Sequence, residues 1–115
     1  MAAPVAHYSK WYRAGDFVFV SGQIGLADGA LVEGVESQAR VVLANVVEAL
    51  EEASGTLNDV VKCLVFMTDI GNFSLINSIY AEAFGDHRPA RSAIGVAALP
   101  LGAEVEIEAI AYLPE

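Results

Sequence analysis

The end of the chain alternates strictly between two kinds of side chain, in the stretch AEVEIEAIAYL that finishes at Leu113. One side of this stretch carries Glu104, Glu106 and Glu108 and then Ile110 and Tyr112, whereas the other carries only Ala, Val, Ile and Leu. A period of two is the geometry of a β-strand, so residues 104–113 are predicted to form a strand with one apolar and one acidic face. Such a strand is typically a solvated edge strand that its charges keep from aggregating. The alternative is that the carboxylates form one wall of a cleft.

The rest of the chain predicts a sheet and two helices. Strands are expected over residues 16–24, 60–68 and 90–99, and the Asp28-Gly29 pair indicates a short hairpin. Apolar residues at helical spacing predict one helix over residues 35–54 and a second from Phe73 to Phe84. The order β-β-(β)-α-β-α-β-β indicates an α+β fold, with a single mixed β-sheet and both helices packed on one face. Because two helices leave the other face bare, that face is expected to associate with further subunits.

Two arginines lie at the start of the strand predicted over residues 90–99. The chain has only six Lys and Arg against fifteen Asp and Glu, yet Arg88 and Arg91 flank Pro89 at the start of an apolar run. A guanidinium group at such a position is costly unless an anion meets it. The anion is either a carboxylate of the protein or a ligand.

The distance between Arg91 and Glu106 bears on that choice. If the last two strands form a hairpin closed by PLGA, Arg91 lies opposite Tyr112 and Glu106 lies opposite Ala97. Arg91 and Glu106 are then about 20 Å apart along the ladder. They share one site only if the two strands are not hairpin partners or if a neighbouring subunit supplies one of them.

Composition bounds the class of protein. With 115 residues and 55% hydrophobic content, the chain is expected to be a single domain over residues 1–115 with some apolar surface covered by another subunit. The net charge of −9 repels phosphate and argues against a nucleic-acid partner. No stretch is long enough to span a bilayer, and the N-terminus lacks the features of a signal peptide. Because Cys63 is the only cysteine, no internal disulfide is possible, and a cytoplasmic location is expected.

Other candidate sites have weaker patterns. His7 and His87 have no metal-ligand spacing with a nearby Cys or Asp, so no metal site is expected. Ser21 precedes a glycine but lacks a nucleophile-elbow motif, and no glycine-rich phosphate loop is present. Cys63, within an apolar strand, is interpreted as an inert core thiol. The residues alone predict a cleft with an arginine and a carboxylate wall, and they do not name a reaction.

Five segments occur in an order that resembles the Rid (YjgF-type) reactive intermediate deaminases. They are YS at Tyr8, then AGDFVFVSGQIGL, QARVVLANVVEALEEASGTLNDVVKCLVFMTDIGNF, INSIYAEAFG and RPARSAIGVAALPLGAEVEIEAIA. The resemblance covers residues 8–113, and its VSGQI, RPARS and VEIEAIA motifs are specific to that family.

This resemblance implies a fold, an assembly and an activity. The fold is chorismate-mutase-like, and the assembly is a homotrimer whose sheets form an inner barrel with ligand clefts at the subunit interfaces. The family's active members hydrolyse 2-imino acids and enamines, such as 2-aminoacrylate and 2-iminobutyrate, to 2-keto acids and ammonia. They use no metal or cofactor, and the implied enzyme is a 2-iminobutanoate/2-iminopropanoate deaminase. Its partners are then small imino and keto acids, with no nucleic acid and no membrane.

The resemblance also assigns residues by position. It implies that Arg91 binds the substrate carboxylate and that Glu106 orients the attacking water. The other implied cleft residues are Tyr8, Ser21, Gly22 and Asn77. Arg88 is then interpreted as part of a surface or interface ion pair.

The chain departs from the family pattern at three positions. Ala93 stands where a cysteine is common, which argues against a thiol-based redox role. Gly95 and Ala98 replace a common Glu and Arg, and a smaller, more apolar wall favours bulkier or more apolar imino acids. Relatives described as endoribonucleases, and relatives described as chaperone-like or ligand-sensing proteins, leave two alternative functions. The shortage of cations argues against the first, and the retained Arg91 argues against the second.

Overall fold

The strands of the computed structural model, which describes residues 6–114, form one main sheet and one short ribbon. The main sheet contains strands β1 (Trp11–Ala14), β2 (Phe17–Gln23), β5 (Val60–Met67), β6 (Ala90–Gly95) and β7 (Val105–Tyr112). The ribbon pairs β3 (Leu26–Ala27) with β4 (Ala30–Leu31) across the predicted Asp28-Gly29 turn. The helices are α1 (Val35–Glu52) and α2 (Phe73–Phe84).

The main sheet has the order β1-β2-β7-β5-β6 and is mixed. β6 runs parallel to β5, and the other neighbouring pairs are antiparallel. The predicted α+β fold is therefore confirmed. The hairpin partner β1 was not predicted, although the Ala14-Gly15 turn signal between β1 and β2 marked its end.

Both helices pack on one face of the sheet, where the core lies. Val42, Val46 and Ala49 recur at helical spacing along α1 and are fully buried, as the amphipathic pattern predicts. They meet alternate residues of the strands, including Val65 and Ile107. Cys63 belongs to the same core, and burial raises the pKa of its thiol, which fits an inert thiol.

The other face of the sheet has no helical cover within the described residues. Large apolar side chains stand on it, and we call it the open face: Tyr12, Phe17, Phe19, Leu64, Phe66, Ile94, Ile110 and Tyr112. A contiguous apolar surface of this kind is typical of a protein–protein contact.

The acidic strand β7 lies at the centre of the sheet. It pairs with β2 on one side and with β5 on the other, so the interpretation as a solvated edge strand is wrong. Val105 and Ile107 point into the core, whereas Glu106 and Glu108 lie on the open face beside Phe66 and Leu64. The predicted alternation is confirmed for Glu106 and Glu108, whose carboxylates stand among apolar side chains. Glu104 precedes the strand and bonds to Gln38 of α1, so it does not share their face.

The last two strands do not form a hairpin, so the alternative in which they are not partners is the one that the structure has. β6 and β7 flank β5 on opposite sides, and residues 96–104 carry the chain across the end of β5. Backbone hydrogen bonds from Val96 to Met67 and from Thr68 to Glu104 hold this crossover to the end of β5. The strand pattern extended to residue 99, but β6 ends at Gly95, which leaves a link long enough to cross one intervening strand.

None of the helices within residues 6–114 is long and apolar enough to cross a bilayer.

Candidate functional site

A cleft of about 720 Å³ runs along the open face and around the C-terminal end of β2. Four of the residues implied by the family resemblance line it: Tyr8, Ser21, Gly22 and Glu106. A second carboxyl-bearing wall residue is Glu108, one step further along the same face of β7. The alternative interpretation of the acidic strand, as a cleft wall, is the one that matches this placement.

Ser21 ties the N-terminal segment to the sheet. Its hydroxyl donates to the carbonyl oxygen of Ser9 at 2.6 Å, and its backbone N–H donates to the carbonyl oxygen of Lys10 at 3.0 Å. The Lys10 ammonium in turn pairs with Glu52 on α1. These contacts hold Tyr8 at the cleft. Because its proton is already used, the Ser21 hydroxyl meets a ligand only as an acceptor.

Gly22 and Glu106 are in close contact. A Cβ atom at residue 22 would lie 2.0 Å from the Glu106 Oε2 atom, so only glycine leaves room for the carboxyl group in this position. Burial, and secondarily the negative charge of Glu108, raises the pKa of Glu106 above its usual value. A carboxyl group with a raised pKa is suited to accept and return a proton near neutral pH.

Arg91 lies on the other face of the sheet, against one side of α2. Its Nη1 atom donates to the Asn77 Oδ1 atom at 2.7 Å. The guanidinium carbon stands 4.8 Å from the centre of the Tyr80 ring and 5.6 Å from that of the Phe73 ring. An amide oxygen and two aromatic faces therefore hold the guanidinium group in place without neutralising it.

A second cavity, of about 520 Å³, opens beside Arg91. Its polar lining consists of Asn77, His87, Arg88 and Arg91, together with the ring edge of Tyr80. The His87 Nε2 atom lies 2.7 Å from the Val60 carbonyl oxygen, which fixes the ring at the cavity floor. Arg88 has no ion-pair partner within residues 6–114, so the surface ion pair expected for it is not present there. An ion pair with another subunit stays a prediction.

The six predicted site residues thus form two groups on opposite faces of one sheet. Arg91 on β6 pairs with Cys63 of β5, and Glu106 on β7 pairs with Phe66 of β5, three residues further along. β6 and β7 lie on opposite sides of β5, so the two residues are two strand spacings apart. Their backbones are about 14 Å apart from the strand spacings alone, and their side chains point in opposite directions. One chain does not bring these two groups to a common ligand.

Metal ligands are not clustered in the described part of the chain. No group of three or more His, Cys, Asp or Glu side chains within residues 6–114 is placed to hold a metal ion.

The three departures from the family pattern lie in different places. Ala93 borders a small gap between α2 and β6, lined also by Phe73 and Met67. Gly95 ends β6, where a Cβ atom would make an ordinary contact 3.6 Å from Ile70. Ala98 lies in the crossover, and neither Gly95 nor Ala98 lines the two larger cavities. The predicted shift toward apolar substrates stays a prediction.

Sequence reasoning did not assign a role to the aromatic side chains that hold Arg91. Phe73 and Tyr80 recur with helical spacing on α2, and that spacing predicts the helix without giving their rings a partner. Asn77, a predicted cleft residue, lies between them on the same side of the helix. The same spacing places all three over one strand residue. The influence of Glu108 on the pKa of Glu106 follows from the alternation of β7, which puts the two carboxyl groups next to each other on one face.

Comparison with known proteins gives consistent relatives. Residues 1–113 match the family model described as Endoribonuclease L-PSP. A RutC family protein of Pyrococcus horikoshii is 44% identical over 112 residues, which cover 95% of this chain and 89% of that protein. A 2-iminobutanoate/2-iminopropanoate deaminase of Bos taurus is 42% identical over 112 residues, which cover 95% of this chain and 82% of that protein.

A solved structure agrees with the fold in detail. The crystal structure of RidA from the Antarctic bacterium Psychrobacter sp. matches with a TM-score of 0.94 and 42% sequence identity, over 96% of this chain and 92% of that chain. Other relatives are named as mitochondrial or chloroplastic proteins, so a cytoplasmic location stays a prediction. The resemblance seen in the sequence is confirmed: this chain belongs to the Rid (RutC/YjgF-type) family.

Proposed function

We propose that this protein hydrolyses reactive 2-imino acids and their enamine forms to 2-keto acids and ammonia. The observation that carries the proposal is the state of Arg91. In a chain of net charge −9, its guanidinium group is held by the Asn77 amide and two aromatic rings, and by no carboxylate within residues 6–114. It therefore keeps its charge for an anionic ligand.

Arg91 acts as the carboxylate clamp in this proposal. A guanidinium fork binds a carboxylate through two parallel hydrogen bonds, which fixes the position of the adjacent imino carbon. The bond to Asn77 uses one edge of the fork and leaves the other N–H groups for the ligand. Because an imine is already electrophilic, correct placement supplies much of the catalysis.

Glu106 acts as the proton-transfer group. Its carboxylate accepts a proton from the water that attacks the imino carbon and returns it to the departing nitrogen. Its raised pKa brings these two transfers closer in energy at neutral pH. The balance is one imine and one water giving one keto acid and one ammonia, with no change of oxidation state.

The site requires a homotrimer in this proposal, because the two groups lie on opposite faces of one chain. The apolar open face supports an assembly in which sheets face inward and the Arg91 side of one chain meets the Glu106 side of the next. Light scattering is expected to give three times 12.1 kDa at micromolar concentration. A monomer under those conditions would contradict the shared site.

Release of 2-keto acid from freshly generated 2-aminoacrylate and 2-iminobutyrate tests the activity directly. The wild type is expected to accelerate release over the spontaneous reaction. Arg91→Ala removes nearly all of the acceleration, and Arg91→Lys removes much of it because the ammonium group lacks the planar fork. Equal rates with and without the protein on both substrates would refute the proposal.

RNA cleavage is the alternative that the family description supports. Fifteen acidic against six basic residues disfavour binding of a phosphate backbone, so no cleavage of single-stranded RNA is expected at physiological salt. RNA cleavage that Arg91→Ala abolishes, without imine turnover, would favour the alternative.

A further inference from the structure

The cavity beside Arg91 is lined by cations in an otherwise acidic protein. Two of the six Lys and Arg residues, Arg88 and Arg91, border it together with His87. None of the fifteen Asp and Glu residues is among the residues that line it. Two guanidinium groups with no carboxylate beside them in the lining favour an anionic occupant.

Arg88 differs from the other arginines of the described chain in having no protein partner. Arg13 donates to the carbonyl oxygen of Leu113, Arg40 pairs with Glu36, and Arg91 donates to Asn77. No hydrogen bond or ion pair within residues 6–114 involves Arg88, although Asp86 is only two residues away. Within one chain its donors are available at the cavity wall, and a ligand there takes the place of the interface ion pair expected for Arg88.

The cavity is also larger than one small carboxylate requires. Its volume of about 520 Å³ lies in the range of sites for organic ligands of moderate size, about 300–1,000 Å³. Arg91 stands at the inner wall against α2, and Arg88 stands where the chain enters β6. The two guanidinium groups therefore border one cavity, in which a ligand anchored on Arg91 by one carboxylate has a second cation within the same lining.

The arrangement leads us to infer that the preferred substrate is a 2-imino dicarboxylic acid. This inference rests on the proposed function and adds its specificity. Arg91 binds the carboxylate beside the imino carbon, and Arg88 binds the carboxylate at the far end. For the four-carbon case, 2-iminosuccinate and water give oxaloacetate and ammonia, without oxidation or reduction.

A dicarboxylate preference differs from the apolar preference that Gly95 and Ala98 suggested. Neither of those residues lines this cavity, whereas Arg88 does. The supplying reaction belongs to the class that oxidises the amine of an amino dicarboxylic acid to an imine. The product is a 2-keto dicarboxylic acid.

Turnover of matched substrates tests the inference. We compare 2-iminosuccinate with 2-iminobutyrate, each generated freshly by oxidation of its amino acid, for the wild type and for Arg88→Ala, Arg88→Lys and Arg40→Ala. The wild type is expected to have the higher kcat/KM on 2-iminosuccinate. Arg88→Ala lowers the ratio of the two kcat/KM values about tenfold, the value of one charge-assisted contact at a partly exposed site, chiefly through KM. Arg88→Lys keeps part of the ratio.

Arg40→Ala is the charge-matched control. It removes one positive charge from an exposed site on α1, outside the cavity, and leaves the ratio unchanged. A fall of the ratio with Arg40→Ala that equals the fall with Arg88→Ala would show a general charge effect and overturn the inference. So would a wild type that prefers 2-iminobutyrate.

Binding of stable ligands separates this inference from the proposed function. Calorimetry with succinate and butyrate, which differ by one carboxylate, reports the second contact without any turnover. If imines are not hydrolysed but succinate binds more tightly in an Arg88-dependent way, the proposed function fails and the dicarboxylate site stands. If imines are hydrolysed and both ligands bind equally, the dicarboxylate inference fails and the proposed function stands.

Discussion

At the scale of single residues, the contact between Gly22 and Glu106 gives the most direct test of the proposed proton-transfer group. In Gly22→Ala, the new Cβ atom takes the place of the Glu106 carboxyl group, which must rotate away. The fold is expected to persist because only the end of a flexible side chain moves, so the melting temperature changes by no more than a few degrees. Turnover falls about tenfold or more, because small displacements of a reacting group are costly.

Gly95→Ala is the control for that change. The nearest atom to its new Cβ atom lies 3.6 Å away, which is an ordinary contact, and no cavity residue has to move. Full activity in Gly22→Ala would mean that the position of the Glu106 carboxyl group does not matter for the reaction.

The raised pKa of Glu106 predicts a pH dependence. A protonated Glu106 cannot accept a proton from water, so kcat/KM declines as pH falls through that pKa. Burial and then the charge of Glu108 raise this pKa. Removing a like charge favours the ionised form, so Glu108→Gln lowers the pKa of Glu106 and moves the acid limb of the profile to lower pH.

Glu104→Gln is the matched control for the pH profile. Glu104 contacts Gln38 near the start of β7 and is not a cause of the Glu106 shift, so its acid limb stays in place. If the acid limb of the pH profile moved equally in both variants, or in neither, Glu108 would not be a cause of the raised pKa of Glu106.

At the scale of elements, helix α2 positions Arg91 through the Tyr80 ring. In Tyr80→Leu the ring is lost, and a cation–π contact of about 1 kcal/mol disappears. The dissociation constant of 2-oxobutyrate is then expected to rise about fivefold, as titration calorimetry would measure. Tyr80→Phe keeps the ring and removes a buried hydroxyl whose polar neighbour is the Cys63 thiol, a weak hydrogen-bonding group, so its affinity and stability stay close to those of the wild type.

A double-mutant cycle separates positioning from general packing, because Tyr80 also belongs to the core. In an Arg91→Ala background, Tyr80→Leu should weaken binding no further, although it lowers the melting temperature as before. An additional loss of affinity in that background would make Tyr80 a structural residue only.

The sequence predicted the elements better than their pairing. Periodicity located both helices and the strands β2, β5 and β7 because it reports which side of each element is buried. It carries no direct information on which strands are neighbours, so the short PLGA link suggested a β6–β7 hairpin. The actual neighbours follow from the crossover of residues 96–104 past β5, which depends on tertiary contacts at Met67 and Thr68.

The candidate site was predictable as residue types but not as an arrangement. The motifs around Arg91 and Glu106 named both residues, and the alternation of β7 gave the face of Glu106 correctly. The face of Arg91 depends on the parallel register of β6 with β5, which no local pattern encodes. The separation of the two residues to opposite faces is therefore a result of topology.

At the scale of the whole molecule, that separation means that the proposed function needs two half-sites from each chain. One half-site carries Arg91 and Asn77 on the helical side, and the other carries Glu106 and Tyr8 around the open face. A ring of identical chains joins unlike half-sites head to tail, which is the contact that closed cyclic symmetry generates. The hairpin that first suggested a site shared between chains is not formed. A shared site is still expected, because Arg91 and Glu106 lie on opposite faces of the sheet.

Mixing two inactive variants tests whether each cleft is shared. Arg91→Ala loses the carboxylate clamp, and Glu106→Gln loses the proton acceptor while carboxylate ligands still bind. Equal amounts of the two variants are refolded together. The Glu106→Gln chain keeps Arg91 and the Arg91→Ala chain keeps Glu106, so a cleft is intact when it takes each residue from the chain that keeps it. Random assembly makes about a quarter of the clefts intact, so about a quarter of the wild-type activity should return. Native mass spectrometry verifies that mixed trimers form. If they form and no activity returns, both residues act within one chain, and the sheet must rearrange in the assembly to bring them together.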